Sequence, residues 1–356
     1  MVEWLAGNRI RGTTAERPNF GLPSGSVGGW VEVGRTTLGG TGTTITASSL
    51  ADKRYYMVLM NNINTGSTPQ VALRLGNSTA ATSGYAGRYS RNGAADATNL
   101  SATSMTAEGY VGANPYGFGV SYIANLSAKE KLLLTNYTYG TAGAGTAPNR
   151  QENATKWAYT SNPLDLVQML NVNTSTFASG SEVVVLGWDP ADSHTTNFWE
   201  ELADTTFTSS GVSAQTFTAK KYIWCQFWFT SDASGNGQHF QLGDTGGIDT
   251  GSTYARRFSI NGGADSTSTS QSKIYFAPQT GAVTHFVNMF MVNNASNEKL
   301  SIIQATTSNG SGAGNAPQRR ETVGKWVETT NQCDRITIAT DAGTFTGGQL
   351  KVWGSD

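Results

Sequence analysis

Tyr85–Asp96 reads YAGRYSRNGAAD, and Tyr254–Asp265, 169 positions further on, reads YARRFSINGGAD. Chance does not produce so long a match, and repetition at a fixed period marks a duplicated structural unit. Other matches keep the order and nearly the offset: Lys53-Arg54-Tyr55 with Lys220-Lys221-Tyr222, Glu130-Lys131-Leu132 with Glu298-Lys299-Leu300, and Ala147-Pro148-Asn149-Arg150 with Ala316-Pro317-Gln318-Arg319. Glu152, Lys156 and Trp157 answer Glu321, Lys325 and Trp326, and each copy closes on a Phe, a small-residue turn and an apolar run ending in Gly. The first repeat is expected over residues 29–190 and the second over 196–356, joined by a short turn at 191–195 that keeps the two close. Residues 1–28 have no counterpart and are read as an extended N-terminal arm.

Within a repeat the pattern is that of strands. Tyr55–Met60 is a continuous apolar run and Tyr222–Phe229 is one broken only by Gln226, whereas Val71–Leu75 and Leu350–Trp353 alternate. Asn92-Gly93 and Asn261-Gly262 fit tight hairpin turns, and the small-residue tracts Thr141–Ala147 and Ser308–Ala316 read as loops. Seven to nine strands per copy predict an all-β chain of two tandem, homologous, jelly-roll-like β-sandwiches, and the same strand pattern is compatible with closure as a barrel. The chain has 356 residues, 42 of them Gly, and only 14% are charged, which suits strands and turns better than helices.

A formal net charge of -1 gives no field to attract nucleic acid or an anionic membrane. Met1–Ile10 has neither the basic nor the apolar region of a secretory signal, and no apolar stretch reaches 18 residues, so synthesis in the cytoplasm without membrane insertion is expected. Cys225 and Cys333 lie in strand-like segments of the second half and are read as buried free thiols. His194, His239 and His285 show no ligand spacing. Neither a nucleophile motif nor a metal or cofactor signature occurs, and no catalytic or metal residue is assigned.

Two repeated elements remain as candidates. Arg88 with Asp96, and Arg257 with Asp265, flank the Asn-Gly turns and are read as structural braces, with calcium or sugar contact as the alternative. Arg150, Glu152 and Trp157, matched by Arg319, Glu321 and Trp326, are read as a core-and-rim arrangement, with the tryptophans serving as sugar platforms as the alternative. Trp224 and Trp228, in an aromatic run that the first repeat lacks, serve either the core or an interface. In the arm, Trp4, Arg9, Arg11, Arg17 and Phe20 are candidate partner-docking residues.

Several segments together carry a resemblance: WLAGNRIRGTTAERP (4–18), GGW (28–30), KRYYM (53–57), YAGRYSRNGAAD (85–96), SAKEKLL (127–133), APNRQE with KW (147–157) and VVVLGWDPADSHTTNFW (183–199). The chain resembles virion structural proteins of tailed bacteriophages from aquatic and marine sources. The resemblance implies a non-enzymatic role on the particle exterior, foremost capsid decoration through protein–protein contacts. It also implies capsid or tail subunits as partners, a homo-oligomer such as a trimer, and a virion location. The alternative is a head- or tail-fibre protein that binds a receptor or host surface glycan, and a third reading is a glycan-cleaving enzyme with paired carboxylates.

Overall fold

The computed structural model describes residues 29–66, 69–106, 115–173, 175–189, 197–232, 237–276 and 282–356. The expected arm, with Trp4, Arg9, Arg11, Arg17 and Phe20, and the turn at 191–195 lie outside the described residues.

The described chain is all-β. The first repeat runs β1 (Val31–Thr37), β2 (Thr44–Ser48), β3 (Tyr55–Thr65), β4 (Val71–Asn77), β5 (Thr79–Ala80), β6 (Tyr85–Arg91) and β7 (Ala97–Ala102). It continues with β8 (Met105–Thr106), β9 (Tyr116–Ala124), β10 (Lys131–Gly140), β11 (Asn149–Trp157), β12 (Leu166–Asn171), β13 (Thr176–Phe177) and β14 (Glu182–Trp188). The second repeat runs β15 (Glu200–Thr206), β16 (Val212–Thr216), β17 (Tyr222–Ser231), β18 (His239–Asp244), β19 (Gly247–Ile248), β20 (Tyr254–Ile260) and β21 (Ser266–Gln271). Its remaining strands are β22 (Ile274–Tyr275), β23 (Thr284–Val292), β24 (Lys299–Thr307), β25 (Gln318–Trp326), β26 (Arg335–Ala339) and β27 (Phe345–Ser355).

Each repeat is a sandwich of two sheets. The large sheet of the first is ordered β1-β14-β3-β9-β10-β11-β6-β7 and its small sheet β2-β12-β4-β5. The second repeats this strand for strand, as β15-β27-β17-β23-β24-β25-β20-β21 over β16-β26-β18-β19. Separate sheets decide for a sandwich over a barrel. The described strands outnumber the expected seven to nine per copy, because short pairings such as β5 and polar strands such as Ser266–Gln271 carry no apolar pattern to announce them.

Period-2 alternation sends one side of each large-sheet strand into the sandwich. Tyr56, Val58 and Met60 of β3 meet Leu73 and Leu75 of β4 and Val167 and Met169 of β12. In the second repeat Cys225, Phe227 and Phe229 of β17 take the same place against Phe240, Ile336 and Ile338. The aromatic run of β17 is thereby divided between two faces, with Phe227 and Phe229 inside and Trp224 and Trp228 outside.

The repeated motifs hold each sandwich together. Tyr85 Oη donates to Leu75 O and accepts from Leu75 N, both at 2.9 Å, and Tyr254 does the same with Leu242, pinning large sheet to small. Asn92 and Gly93 both have positive φ (52° and 69°), as do Asn261 and Gly262 (53° and 73°), the geometry of a tight hairpin turn. Asn92 Oδ1 accepts from Arg150 N at 3.0 Å and Asn261 Oδ1 from Arg319 N at 2.9 Å, so the two repeated elements lock onto one another. Lys131 and Lys299 are buried, each Nζ donating to three backbone carbonyls: Leu126, Lys129 and Tyr159 in one case, Ala295, Asn297 and Glu328 in the other.

A third core joins the repeats. Met57, Leu59, Phe118, Val120, Val184 and Leu186, on the outer face of the first large sheet, pack with Tyr222, Phe290, Val292, Leu300, Ile302 and Val323 of the second. The two large sheets lie back to back, giving four layers. Trp199, fully buried, seals the junction against Trp224 and Phe290, with ring centroids 5.6 and 6.1 Å away.

Candidate interaction surface

The outer face of the first large sheet is only partly covered by the second repeat. Where cover ends, an open groove of about 800 Å³ is lined by Tyr122, Leu132, Leu134 and Leu100, with Trp30, Tyr55 and Trp188 along one wall. Leu132 is 55% exposed, Leu134 61% and Leu100 74%. Tyr55 and Trp188 stack with centroids 5.4 Å apart, so the aromatic wall is braced by its own rings. Arg88 and Lys156 supply the charge at the opposite wall. Arg88 lies 3.7 Å from Asp96, both well exposed, and Lys156 donates to Glu130 at 2.8 Å. An apolar floor with a charged border is the composition of a protein-contact patch.

A second apolar feature lies on the outer face of the second large sheet. Trp228 and Phe286 are direct cross-strand neighbours on β17 and β23, 45% and 46% exposed. Beside them Asn288 Oδ1 accepts from Trp224 Nε1 at 2.7 Å and Gln226 Nε2 at 3.1 Å.

The expected braces are present but unequal. Arg88 and Asp96 pair in solvent, whereas Asp265 is buried between the repeats and takes a bidentate pair of bonds from Arg150 of the first repeat, at 2.8–3.1 Å. Arg257 stands 4.0 Å from Asp265 and donates to Pro148 O at 2.9 Å. Arg150 also bonds Glu152, and Arg319 lies 3.2 Å from Glu321. Burial first, then the nearby Glu152 carboxylate, push the Glu321 carboxyl above its ordinary value. The space beside Glu152 and Glu321 is about 10 Å³, too small for a sugar ring.

The alternative reading of Trp157 and Trp326 as sugar platforms is corrected by burial. Trp157 packs inside the sandwich between Tyr85 and Tyr159, and Trp326 lies against Tyr254 with Nε1 donating to Asp249 at 2.7 Å. Each indole closes the end of a core and shows no face to solvent. Trp224 is half-buried against Trp199, Phe290 and Trp353, leaving Trp228 as the one of these four candidates with an open ring.

His239 Nδ1 lies 2.8 Å from Gly237 O, and His285 is sealed in the core with Nδ1 3.0 Å from Thr307 Oγ1. Cys225 and Cys333 are buried free thiols, with the pKa of Cys333 pushed up to about 12 by burial. Sequence reasoning missed the groove and the junction between repeats. Their signal is the unbroken apolar run, since a strand apolar on both sides is a strand to be covered on both sides. Tyr55–Met60, Val183–Leu186 and Leu132–Leu134 all carry it.

Comparison with family models and with curated proteins finds no match. Among solved structures, the LG4-5 domain pair of the mouse laminin α1 chain aligns over 90% of this chain and 89% of its own, at 10% identity and a TM-score of 0.22. Neisserial surface protein A aligns over 76% of this chain and 94% of its own, at 8% identity and a TM-score of 0.12. At these scores the alignments carry no argument about function, and the description of the fold stands on the strand order itself.

Proposed function

We propose that this chain is a non-enzymatic structural protein of a virion, held on the outside of the particle by protein–protein contacts, with capsid decoration as its task. The observation that supports this reading is the groove of about 800 Å³ on the first repeat, where leucines on a hydrogen-bonded sheet face solvent. Exposed leucines on a rigid strand cost solubility and are retained where a partner covers them. The two-repeat body suits such a role, because a buried junction fixes the groove relative to the far end of the molecule.

The test is cryo-electron microscopy of purified particles, together with incorporation of a Leu134→Asp variant. Density on the capsid lattice with the first repeat inward, and incorporation reduced at least about tenfold in the variant, is the expected result. Density confined to the tail would overturn decoration. Absence of the chain from particles would overturn the virion reading altogether.

A further inference from the structure

The two repeats are not related by a two-fold axis. Outward positions of β10 are open at Leu132 and Leu134, then half-covered at Asn136 and fully covered at Thr138. Outward positions of β24 are covered at Leu300 and Ile302 and then open at Gln304 and Thr306. In an isologous contact, equivalent positions would be covered alike; here opposite halves are covered, so the contact is heterologous. Such a contact uses one face of each repeat and leaves its complement unused on the other. The unused faces are the groove of the first repeat and the Trp228–Phe286 face of the second.

The polar contacts repeat this asymmetry. Across the junction, Glu298 Oε1 accepts from Gly143 N at 2.5 Å and Lys325 Nζ donates to Thr141 O at 2.6 Å, gripping the loop after β10. Arg257 holds Pro148 O, and Asp265 holds Arg150. The equivalents of the gripping residues are Glu130, Lys156, Arg88 and Asp96; Lys156 and Arg88 line the groove, and each pairs in solvent with its own carboxylate, Glu130 and Asp96. The equivalents of the gripped ones are the loop Ser308–Ala316, Pro317 and Arg319, whose side chain is 64% exposed. Leu132, Leu134 and Ala154 stand where Leu300, Ile302 and Val323 are buried, and Phe286 stands where Phe118 is buried.

We propose that the groove of the first repeat receives the outward face of the second repeat of another copy of this chain, repeating between chains the contact that joins repeats within one. Leu132 and Leu134 then cover Trp228 and Phe286, Glu130 and Lys156 grip the loop Ser308–Ala316, and Asp96 pairs with Arg319 of the incoming chain. Each chain offers one groove and one complementary face, so association runs head to tail into a ring or a filament. Gln226, Asn288 and Lys351 stand where Leu59, Val120 and Val184 stand in the internal contact, and no covalent link raises the local concentration. The inter-chain contact is therefore weaker than the internal one, and reversible.

This inference rests on the reading of the groove as a protein-contact surface. Sedimentation velocity on the full chain, from about 1 μM to about 1 mM, tests it with Asp96→Arg, Arg319→Asp and the two combined in one chain. Both side chains are exposed, and circular dichroism confirms that each variant is folded. The wild type is expected to sediment faster as concentration rises. Each single variant is expected to raise the concentration for half-association at least about tenfold, and the combined variant, with the pair reversed, to restore it. A wild type that stays monomeric throughout would overturn the inference, as would one that associates only after removal of residues 1–28, which would place the chain's own N-terminal segment in the groove. Association broken by Asp96→Arg and untouched by Arg319→Asp would replace the head-to-tail contact with groove against groove. A monomeric wild type whose incorporation into particles still depends on Leu134 would leave the proposed function standing while this inference falls.

Discussion

Asp96 and Asp265 occupy the same position of the same motif, yet their environments differ. The Asp265 carboxylate is 2% exposed and bonded to a guanidinium that is 6% exposed; Asp96 and Arg88 are 52% and 60% exposed. Removing one partner of a buried pair strands the other charge, whereas a solvent pair contributes little. Arg150→Ala is expected to destabilise the chain by about 3 kcal/mol or more in urea unfolding, and Arg88→Ala by less than about 1 kcal/mol. His285 gives a residue-level pH dependence. It stacks on Phe229 at 4.4 Å in the core, and burial pushes its pKa down to about 4. The unfolded chain takes up this proton near pH 6.5 and the folded one only near pH 4, so the unfolded state binds more protons between those values and stability falls as pH drops through that window. The share of His285 is of the order of 3 kcal/mol. Thermal melts of wild type and His285→Gln between pH 7 and pH 4 check this, the variant losing stability less steeply over that interval.

At the scale of elements, β10 and β24 show how one strand pattern meets two fates. Leu134 and Ile302 are equivalent, both outward, 61% and 6% exposed. Ile302→Asp is expected to cost at least about 3 kcal/mol, because it puts an unpaired carboxylate into the junction. Leu134→Asp, in the same measurement, is expected to change stability by less than about 0.5 kcal/mol in the monomer. The sequence pattern cannot separate these two positions, since alternation within a strand shows which residues share a face and not what covers that face. What was legible is local and self-consistent: the Asn-Gly turns, the two-fold repetition, the strands that alternate. The motif YxxRxSxNG could be found because its Tyr, Ser and Asn bind within their own repeat. The groove could not, because it exists only through the offset with which two like sheets are laid back to back. The sequence left a sugar platform open as the alternative to a core position for Trp157 and Trp326 for the same reason, since a repeated indole fits a core end and an open face, and burial decides for the core.

At the scale of the whole molecule, the third core makes the two sandwiches one folding unit. Pulling them apart exposes Met57, Leu59 and Leu186 on one side and Tyr222, Phe290 and Ile302 on the other, a surface no isolated repeat keeps in water without penalty. Unfolding in urea is expected as a single transition with coincident fluorescence and circular-dichroism curves, and Ile302→Asp as the change that splits it in two.

Cys225 and Cys333 turn this coupling into something measurable without denaturant. Both thiols are fully buried, and both belong to the second repeat. A thiol reagent in native buffer reaches them only in molecules whose second sandwich has opened, so the labelling rate divided by that of a free thiol is the equilibrium population of the opened form. If the second sandwich opened alone, that population would exceed the globally unfolded fraction extrapolated from urea; for two repeats sharing a core, the two fractions coincide. The chain thus contains its own clock for the fluctuation that would release one half from the other.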